Sequence, residues 1–338
     1  MKSEKLKVKS YFSFLSALLM LLLVGCGQKP VSVDLFAMDT YMTLVAYGKD
    51  AENALDECSR TINHLENLLS RTRQGSDVWR INETGNAAVD PTTAQLVQDS
   101  QYLSQQTGGA FDITVAPLVD LWDINSDHPY VPAAEEIEAL LPLVGSEKIT
   151  VDGDTVSLPP GASIDLGGIG KGYAGDMVKE IFENYGIESG TVSLGGNVYV
   201  CGSKPDGEPW SVGIQNPGGE GCAVYAALSD AFVVTSGGYQ RYFTAPDGTV
   251  YQHILDPETG YPAESDLLSV SIIGTCGEIA DAYSTALYVM GEQDAIDFWR
   301  SHGDFAMILI TADNRVLCTP GLIITEEPNS GYVYEEIT

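Results

Sequence analysis

The sequence predicts an α+β fold, formed by a single large mixed domain of two interleaved lobes with a central cleft between them. Segments with helical spacing of apolar residues dominate the first half of the chain, and strand-like runs dominate the second half. The 338 residues, 44% of them hydrophobic, suffice to bury a substantial core. Neither an internal repeat nor a clean linker divides the chain, so we expect one folded unit.

The first 25 residues are predicted to be a signal peptide rather than part of this fold. Four lysines near the N-terminus precede an apolar run from Tyr11 to Val24. A charged start followed by a short apolar run is typical of secretory signals, whereas a membrane-spanning helix needs about 20 apolar residues. We therefore expect export of the protein.

The end of this apolar run has the sequence Leu-Val-Gly-Cys at Leu23–Cys26. It resembles the bacterial lipobox, which implies removal of residues 1–25 and diacylation of Cys26 as the first mature residue. The alternative is an ordinary signal peptide with an incidental cysteine. Two acyl chains would hold the protein stably at the membrane surface. Residues 26–32 would then be a tether between the lipid and the folded domain at 33–338.

The following segments are predicted in order. Val33–Tyr47, rich in β-branched and aromatic residues, is one long strand or a bent pair. Apolar residues at helical spacing predict a helix over 51–69, and Asp90 and Gly108 bound a second one over 92–106. An acidic helix follows at 133–141. Strands at 148–151 and 155–158 flank the hairpin signal Asp152-Gly153.

The second half of the chain is predicted to be mainly strands. A short strand at 163–166 enters a glycine-rich turn, and a helix follows it over 173–184. Two further helices are expected at 277–290 and 293–301. The predicted strands cover 190–200, 210–215, 222–229, 231–235, 267–273, 305–311 and 315–318, with a hairpin pairing 239–245 and 249–255 around Asp247-Gly248.

The mature chain is strongly acidic. The whole sequence has a formal charge of −30, and loss of the lysine-rich first 25 residues makes it −33. Nucleic acid and anionic lipid head groups are therefore poor partners for most of the surface. A nucleotide phosphate would need local charge neutralisation, which a divalent cation supplies most simply.

Five cysteines remain in the mature chain, and they show no metal-like spacing. Buried free thiols are the default expectation for them, with one disulfide as the alternative.

The glycine-rich turn at 167–172 is the first candidate for binding chemistry. A turn of this kind that opens a helix presents backbone N–H groups and the positive helix end to anions. Its sequence, Asp165-Leu-Gly-Gly-Ile-Gly-Lys-Gly172, is neither a Walker A loop nor G-x-G-x-x-G. Glycines alone are weak support, and a tight strand-to-helix turn without function is the alternative.

The turn in its wider context resembles the signature of the ApbE-type flavin transferase (FAD:protein FMN transferase) family. The run Ile164–Ala174 is similar to that signature as a whole. Further blocks resemble the family in the same order, and together they cover the chain from about residue 33 to its C-terminus: Met38–Met42, Thr107–Val119, Ser193–Asn197, Val234–Gly237, His253–Gly260 and Ala280–Ala286.

The resemblance implies a central nucleotide-binding cleft and a definite reaction. Family members cleave the pyrophosphate of FAD, join FMN through a phosphoester to a threonine hydroxyl of an acceptor protein, and release AMP. Phosphoryl transfer depends mainly on positioning and charge neutralisation. The resemblance thus implies Mg²⁺ as cofactor and FAD as substrate.

The metal ligands implied by the resemblance are Asp281, Thr285 and the carbonyl of Gly168. Asp281 and Thr285 lie four residues apart on a predicted helix, so their oxygens can face one point. Carboxylate, hydroxyl and carbonyl oxygens are hard ligands that suit Mg²⁺. Glycines stand at 167, 168 and 170, where serine, asparagine or alanine often occur in the family. A carbonyl ligand tolerates that change.

The catalytic residues implied by the resemblance are His253 and Asp281. A neutral imidazole at His253 could take the proton of the acceptor threonine. The FAD-binding residues implied are Met38, Ala110, Phe111, Asp112, Asp165, Lys171 and His253, and Lys171 could counter phosphate charge. Trp79 is a further candidate for flavin stacking, with the alternative that its segment only braces the cleft through Arg80 and Asn82.

Two other functions stay open on the sequence. Some relatives hydrolyse FAD to FMN and AMP, and a lipid-anchored flavin-binding protein without turnover is also conceivable. We find no fused acceptor segment, so the acceptor is expected to act in trans, as a flavin-carrying subunit of a membrane redox complex. Its location would be the outer, extracytoplasmic or periplasmic, face of the cytoplasmic membrane.

Overall fold

A computed structural model describes residues 29–124, 126–328 and 330–338. The predicted signal peptide and Cys26 lie outside the described residues. None of the helices in the described ranges combines the length and apolarity that crossing a bilayer requires.

The helices of the described chain lie mostly where their apolar periodicity predicts them. Short 3₁₀ turns occur at Ile113–Val115, Leu141–Leu143 and Ser146–Lys148. The α-helices are α1 (Ala51–Leu69), α2 (Asp77–Thr84), α3 (Pro91–Gln106), α4 (Ala116–Trp122), α5 (Ala134–Leu140), α6 (Gly170–Asn184), α7 (Gly277–Met290) and α8 (Glu292–His302).

The strands are short, and many are joined by tight turns. They are β1 (Val31–Ala37), β2 (Thr40–Ala46), β3 (Asn86–Ala88), β4 (Thr150–Asp152), β5 (Thr155–Ser157), β6 (Ser189–Leu194), β7 (Asn197–Gly202), β8 (Trp210–Gln215), β9 (Cys222–Leu228), β10 (Ala231–Ser236), β11 (Tyr242–Thr244), β12 (Val250–Gln252), β13 (Leu267–Gly274), β14 (Ala306–Thr311), β15 (Arg315–Cys318), β16 (Ile324–Glu326) and β17 (Val333–Glu336).

A nine-stranded sheet is the centre of the fold, in the order β1-β2-β6-β7-β10-β13-β14-β15-β17. Its pairs are antiparallel except for β15 with β17. Three smaller sheets accompany it, in the orders β16-β9-β8, β3-β5-β4 and β11-β12. The single mixed α+β domain predicted from the sequence is therefore confirmed.

The two faces of the central sheet are covered differently. On one face, α1, α6 and α7 bury a continuous apolar core that includes Leu55, Val178 and Ala286. On the other face, the β16-β9-β8 sheet packs over residues such as Val233 and Ile308. A third, smaller cluster around Trp122 joins α4 and α5 to the β11–β12 hairpin. Burial of apolar surface on both faces fixes the ends of the central strands in space.

Two hairpins stand where continuous strands were considered: the first confirms the bent pair that was one of the two alternatives for 33–47, and the second was predicted as a single strand. In the first, Met38 and Asp39 both have positive φ, so β1 turns directly into β2. In the second, Gly195 and Gly196 have positive φ and join β6 to β7, which corrects the single strand predicted over 190–200. Positive φ at both central residues is the geometry of a type I′ hairpin turn.

The strand predicted at 163–166 is wrong. Asn82 holds this extended segment instead: its side-chain amide donates to the Ile164 carbonyl at 2.9 Å and accepts from the Ile164 N–H at 2.8 Å. The Asp165 N–H donates to the Ile113 carbonyl at 2.8 Å. These contacts satisfy the backbone groups without a sheet ladder.

Candidate active site

A cleft of about 600 Å³ opens at one end of the central sheet. Four features meet there: the β1–β2 turn, the β6–β7 turn, the end of β10 and the beginning of α6. The cleft is lined by all the cofactor, metal and catalytic residues that the sequence predicted except Trp79, namely Met38, Ala110, Phe111, Asp112, Asp165, Gly168, Lys171, His253, Asp281 and Thr285.

The glycine-rich turn and the Asp281/Thr285 helix meet because α6 and α7 cross with their backbones in contact. A Cβ atom added to Gly172 would lie 2.2 Å from the Gly277 carbonyl oxygen and 2.7 Å from the Asp281 Cβ. The Gly172 N–H donates to Asp281 Oδ2 at 2.8 Å. Glycine is required here by close approach rather than by φ, since a methyl group has no room.

Asp281 and Thr285 present hard oxygen ligands beside this turn. Asp281 is 3% exposed, and the Thr285 Oγ1 lies 3.2 Å from the Ser236 Oγ. A Cβ added to Gly168 would be 3.7 Å from that Thr285 Oγ1. The described residues contain no cluster of three His, Cys, Asp or Glu side chains suited to a metal. A cation in this cleft would therefore need the hydroxyl or main-chain oxygens, and the donor set fits Mg²⁺.

Lys171 lies between the glycine-rich turn and Asp281. Its Nζ donates to the Gly167 carbonyl at 3.1 Å and is 4.0 Å from Asp281 Oδ2. The side chain thus follows the first turn of α6, close to the Gly172 N–H that donates to the same Asp281 oxygen. Positive charge is concentrated at this point of an otherwise acidic site.

Asp165 is held on both of its oxygens. Oδ1 accepts from the Gly167 N–H at 2.8 Å, and Oδ2 lies 3.5 Å from an Arg71 guanidinium nitrogen. Arg71 also pairs with Asp120 at 2.5 Å. The position of the Asp165 carboxylate at the lip of the turn is therefore fixed before any ligand binds.

His253 lies at the end of the β11–β12 hairpin. Its Nδ1 is 3.2 Å from the Arg241 carbonyl oxygen. A carbonyl oxygen only accepts, so this hydrogen bond places the proton on Nδ1 and leaves Nε2 as the basic nitrogen. Desolvation in the cleft, with smaller effects of the Arg241 and Lys171 charges, lowers the pKa of His253 from 6.5 to about 4. The imidazole is therefore neutral at pH 7.

The Asp112 carboxylate is occupied by hydrogen bonds within the protein and is not free to bind a ligand. It is buried and accepts hydrogen bonds from Thr114, from Ser146 and from Ser104 Oγ at 3.2 Å. These contacts fix the loop that carries Ala110 and Phe111. The Phe111 ring packs against the turn, because a Cβ on Gly168 would lie 3.3 Å from its Cε2.

Trp79 lies outside the set of described residues that line the cleft. Its neighbours brace the site instead. Arg80 pairs with Asp77 and donates to the Ala88 carbonyl, and Asn82 holds Ile164 just before Asp165. This placement favours the bracing alternative over flavin stacking.

The cleft also contains polar residues that the sequence analysis did not identify. Among them are Arg71, Arg241, Ser236 and Asn197. Asn197 is 5% exposed, and its Nδ2 has no partner among the described residues. Asn197 and Ser236 fall inside blocks that resembled the family, so those blocks were the available signal. Arg71 and Arg241 lie outside those blocks. No local sequence pattern marks them, because their partners are distant in sequence or are main-chain atoms.

The charge of the cleft is unfavourable for a bare polyphosphate. Among the described residues that line it, seven are carboxylates, and Arg71, Lys171 and Arg241 are the cations. A pyrophosphate would be repelled by this excess unless a cation entered with it.

Comparison with known proteins gives a consistent result. The sequence pattern of the ApbE family matches residues 38–309. The FAD:protein FMN transferase of Klebsiella pneumoniae (strain 342) is 32% identical over 304 residues, which cover 87% of this chain and 94% of the relative.

Two solved structures have the same fold. The crystal structure of the ApbE protein of Thermotoga maritima superposes with a TM-score of 0.78 at 31% identity, covering 89% of this chain and 97% of that one. The apo form of the Pseudomonas stutzeri flavinyl transferase ApbE gives 0.77 at 30% identity, covering 89% and 96%.

The fold and the cleft, taken with these likenesses, define a transferase of the flavin-transferring class. The family resemblance inferred from the sequence blocks is thereby confirmed. The chain belongs to the ApbE family.

Proposed function

We propose that this protein transfers FMN from FAD to a threonine hydroxyl of an acceptor protein and releases AMP. The observation that carries the proposal is the convergence of the glycine-rich turn, the Asp281/Thr285 pair and His253 on one cleft. Each part supplies one requirement of phosphoryl transfer: an anion-binding helix start, a cation site and a base.

Asp281, Thr285 and the Gly168 carbonyl would hold Mg²⁺. The bound ion supplies charge neutralisation at the pyrophosphate, which the acidic cleft cannot provide by itself. Lys171 assists from the turn, since its Nζ lies only 4.0 Å from Asp281 Oδ2. The hydrogen bond from the Gly172 N–H restrains Asp281 Oδ2 and so orients the carboxylate.

His253 acts as the base in this scheme. The acceptor hydroxyl oxygen forms a bond to the FMN phosphorus, the bond from that phosphorus to the bridging oxygen breaks, and AMP leaves. The hydroxyl proton passes to Nε2 of His253, because Nδ1 already donates to the Arg241 carbonyl. This role requires the hydroxyl to come within about 3 Å of Nε2.

FAD is held by residues around the metal site. Met38, Ala110 and Phe111 offer apolar surface, and Asp165 offers acceptors for a nucleotide hydroxyl or amine. Asp112 contributes by fixing the 110–112 loop through its own hydrogen bonds. The role of Asp112 is therefore positioning rather than direct recognition.

We further propose that the protein is an exported lipoprotein, anchored through Cys26 to the outer face of the cytoplasmic membrane. The motif Leu-Val-Gly-Cys supports this anchor. Its acceptor would be a subunit of a membrane redox complex on the same face. Restriction of both proteins to one surface raises their effective concentration.

Mass spectrometry of an acceptor domain tests the function. The full chain is incubated with FAD, Mg²⁺ and a purified flavin-accepting domain of a membrane redox subunit. We expect one covalent FMN on a threonine and one AMP released per label. FMN release without labelled acceptor would indicate hydrolysis, and FAD binding without AMP would indicate a non-catalytic flavin protein.

His253→Ala separates chemistry from binding in the same assay. We expect at least a 100-fold loss of transfer, as is usual when a general base is removed, while FAD affinity changes less than threefold. Equal losses of transfer and affinity would assign His253 to binding instead.

A further inference from the structure

Three hydroxyl side chains form a chain of hydrogen bonds beside the proposed cation site. Ser236 is the last residue of β10 and lines the cleft, and Ser284 and Thr285 are neighbours on α7. The Ser236 Oγ lies 2.8 Å from the Ser284 Oγ and 3.2 Å from the Thr285 Oγ1. Ser284 is fully buried, whereas Ser236 and Thr285 are partly buried. The proposed chemistry uses Thr285 but assigns no role to either serine.

The buried end of this chain determines the direction of its hydrogen bonds. The Ser284 hydroxyl donates to the Asp281 main-chain carbonyl at 2.8 Å, and a carbonyl oxygen only accepts. Because a serine has one hydroxyl proton, the Ser284 oxygen must accept from Ser236. The Ser236 proton is then used as well, so the Ser236 oxygen must accept from Thr285. Only one arrangement satisfies all three contacts, and in it every proton is directed from Thr285 towards the Asp281 carbonyl.

This direction determines what Thr285 can offer to a ligand in the cleft. Its single proton points to Ser236, so only oxygen lone pairs are left for another partner. An unprotonated phosphate oxygen also has only lone pairs, whereas a cation binds them. The Thr285 Oγ1 faces the glycine-rich turn, since a Cβ on Gly168 would lie 3.7 Å from it. The hydrogen bonds therefore make a cation, and not a phosphate oxygen, the partner that suits Thr285.

We propose that Ser236 is a positioning residue that holds the Thr285 hydroxyl as a cation ligand. Ser236 acts through Thr285, because it accepts the threonine proton and thereby directs the lone pairs away from itself. Ser284 in turn keeps the Ser236 proton from pointing at Thr285. This inference rests on the proposed function, and it adds the residue that orients one of the proposed Mg²⁺ ligands. Hydrogen bonds that orient metal ligands commonly contribute to metal affinity.

A double-mutant cycle tests whether Ser236 acts through Thr285. The full chain in detergent micelles is loaded with FAD and titrated with MgCl₂ in a calorimeter, as the native protein, Ser236→Ala, Thr285→Val and the double variant. We expect Ser236→Ala to weaken the Mg²⁺ Kd about fivefold, the effect of losing one hydrogen bond between neutral groups. In the Thr285→Val background the same change should weaken it less than about twofold, because the hydroxyl that Ser236 orients is gone.

Two further variants separate this role from a structural one. Ser236→Thr keeps the hydroxyl and should bind Mg²⁺ within about twofold of the native protein. Ser271→Ala is the matched control, because Ser271 also belongs to a serine–threonine pair, 2.7 Å from the Thr235 Oγ1, but does not line the cleft. Its Mg²⁺ Kd should be unchanged. Urea unfolding without Mg²⁺ should show similar, small losses of stability in Ser236→Ala and Ser271→Ala, so that only Mg²⁺ affinity distinguishes them.

A native Mg²⁺ affinity in Ser236→Ala would overturn the proposal. An equal loss in Ser271→Ala would do the same, since it would reduce the effect to general destabilisation. So would a full fivefold loss in the Thr285→Val background, which would make Ser236 a direct contact of the ion or of FAD. Failure of the proposed function would look different: the native protein would transfer no FMN to the acceptor, although Ser236→Ala still weakened Mg²⁺ binding through Thr285.

Discussion

At the scale of single residues, the protonation of His253 determines when the proposed base is available. Its pKa is lowered to about 4 by desolvation, the Arg241 charge and the Lys171 charge. The free base is therefore present at every pH above about 5. An ordinary histidine would lose half of its base form at pH 6.5.

This pKa predicts the acid limb of the pH profile. We expect kcat/KM for the acceptor to hold from pH 7 down to about 5 and to fall with a midpoint near 4. Stability follows the same sign: the unfolded state binds the proton below pH 6.5 and the folded state only near 4, so stability declines as pH falls through that window. Steady-state rates measure the pH profile of kcat/KM, and circular dichroism at each pH checks that the protein remains folded. A midpoint near 6.5 would contradict the cleft environment described above.

Thr285 provides a second residue-scale prediction. Thr285→Val keeps the shape of the side chain but removes the hydroxyl, whereas Thr285→Ser keeps the hydroxyl. If Thr285 is a ligand, the valine variant should need at least tenfold more Mg²⁺ for half-maximal transfer, and the serine variant less than threefold more. Calorimetric Mg²⁺ titration in the presence of FAD gives an independent readout. Equal Mg²⁺ affinities in the two variants would remove Thr285 from the ligand set.

Site residues that a local sequence pattern marks could be predicted, whereas those that become neighbours only in the folded chain could not. Asp281 and Thr285 were identifiable because a helix places residues four apart on one face. Arg71 was not, because its partner Asp120 is 49 positions away. The unpartnered amide of Asn197 could not be recognised either, since burial and hydrogen bonding are properties of the folded chain.

At the scale of secondary structure, the crossing of α6 and α7 determines the geometry of the candidate active site. Two glycines, Gly172 and Gly277, allow the helices to touch. Asp176 adds a second link, because its carboxylate accepts from the Gly277 and Glu278 N–H groups, each at 2.8 Å. One helix begins with the glycine-rich turn and the other carries Asp281 and Thr285, so the crossing angle determines their separation.

Gly172→Ala should disrupt this crossing. The added methyl group would lie 2.2 Å from the Gly277 oxygen, and overpacking of this kind costs about 1–3 kcal/mol. Urea unfolding should report that loss, and Mg²⁺ affinity should fall with it. Gly170→Ala is the matched control on the same helix, because its nearest neighbour, Leu69 Cδ1, would be 3.8 Å away. A Gly172→Ala protein as stable as Gly170→Ala would refute the close contact.

Element boundaries were predictable where the pattern was long. The predicted spans of α1, α7 and β8 agree with the structure. α2 and α4 were missed because 8 and 7 residues give only two turns, too few to show a period. The hairpin at 195–196 was missed because Gly-Gly was read as part of a strand. The turn at 38–39 stayed open between one long strand and a bent pair, because Met-Asp does not resemble a turn sequence.

At the scale of the whole molecule, the order of strands in the central sheet could not be predicted from the sequence. β6 pairs with β2, and β10 lies between β7 and β13, so strands far apart in the chain become neighbours. The α+β class could be predicted from composition and periodicity, but which strands adjoin depends on how the two apolar cores are filled together. The position of the cleft at one end of the sheet follows from that order.

The cysteines give a prediction for the whole molecule. All five in the described residues are free. Burial raises the pKa of Cys58 to about 12 and the pKa values of Cys201 and Cys318 to about 11. Iodoacetamide at pH 8 should therefore spare these three in the native protein, as thiolates are the reactive form. It should label Cys222, whose side chain is only partly buried.

Unfolding in urea without reductant should then expose every one of these thiols to the reagent. Peptide mass spectrometry identifies the labelled sites. A cross-linked peptide pair, or rapid native labelling of Cys58, would contradict the free and buried thiols of the structure.

The turn between β1 and β2 carries backbone strain. Met38 and Asp39 have φ values of 50° and 56°, which disfavour residues with a Cβ by about 1 kcal/mol or more each. Asn-Gly would fit the same turn without that strain. Exchanging the pair for Asn-Gly should raise the melting temperature and weaken FAD binding, because the methionine side chain would leave the cleft. Heat resistance and substrate affinity would then compete at this one turn.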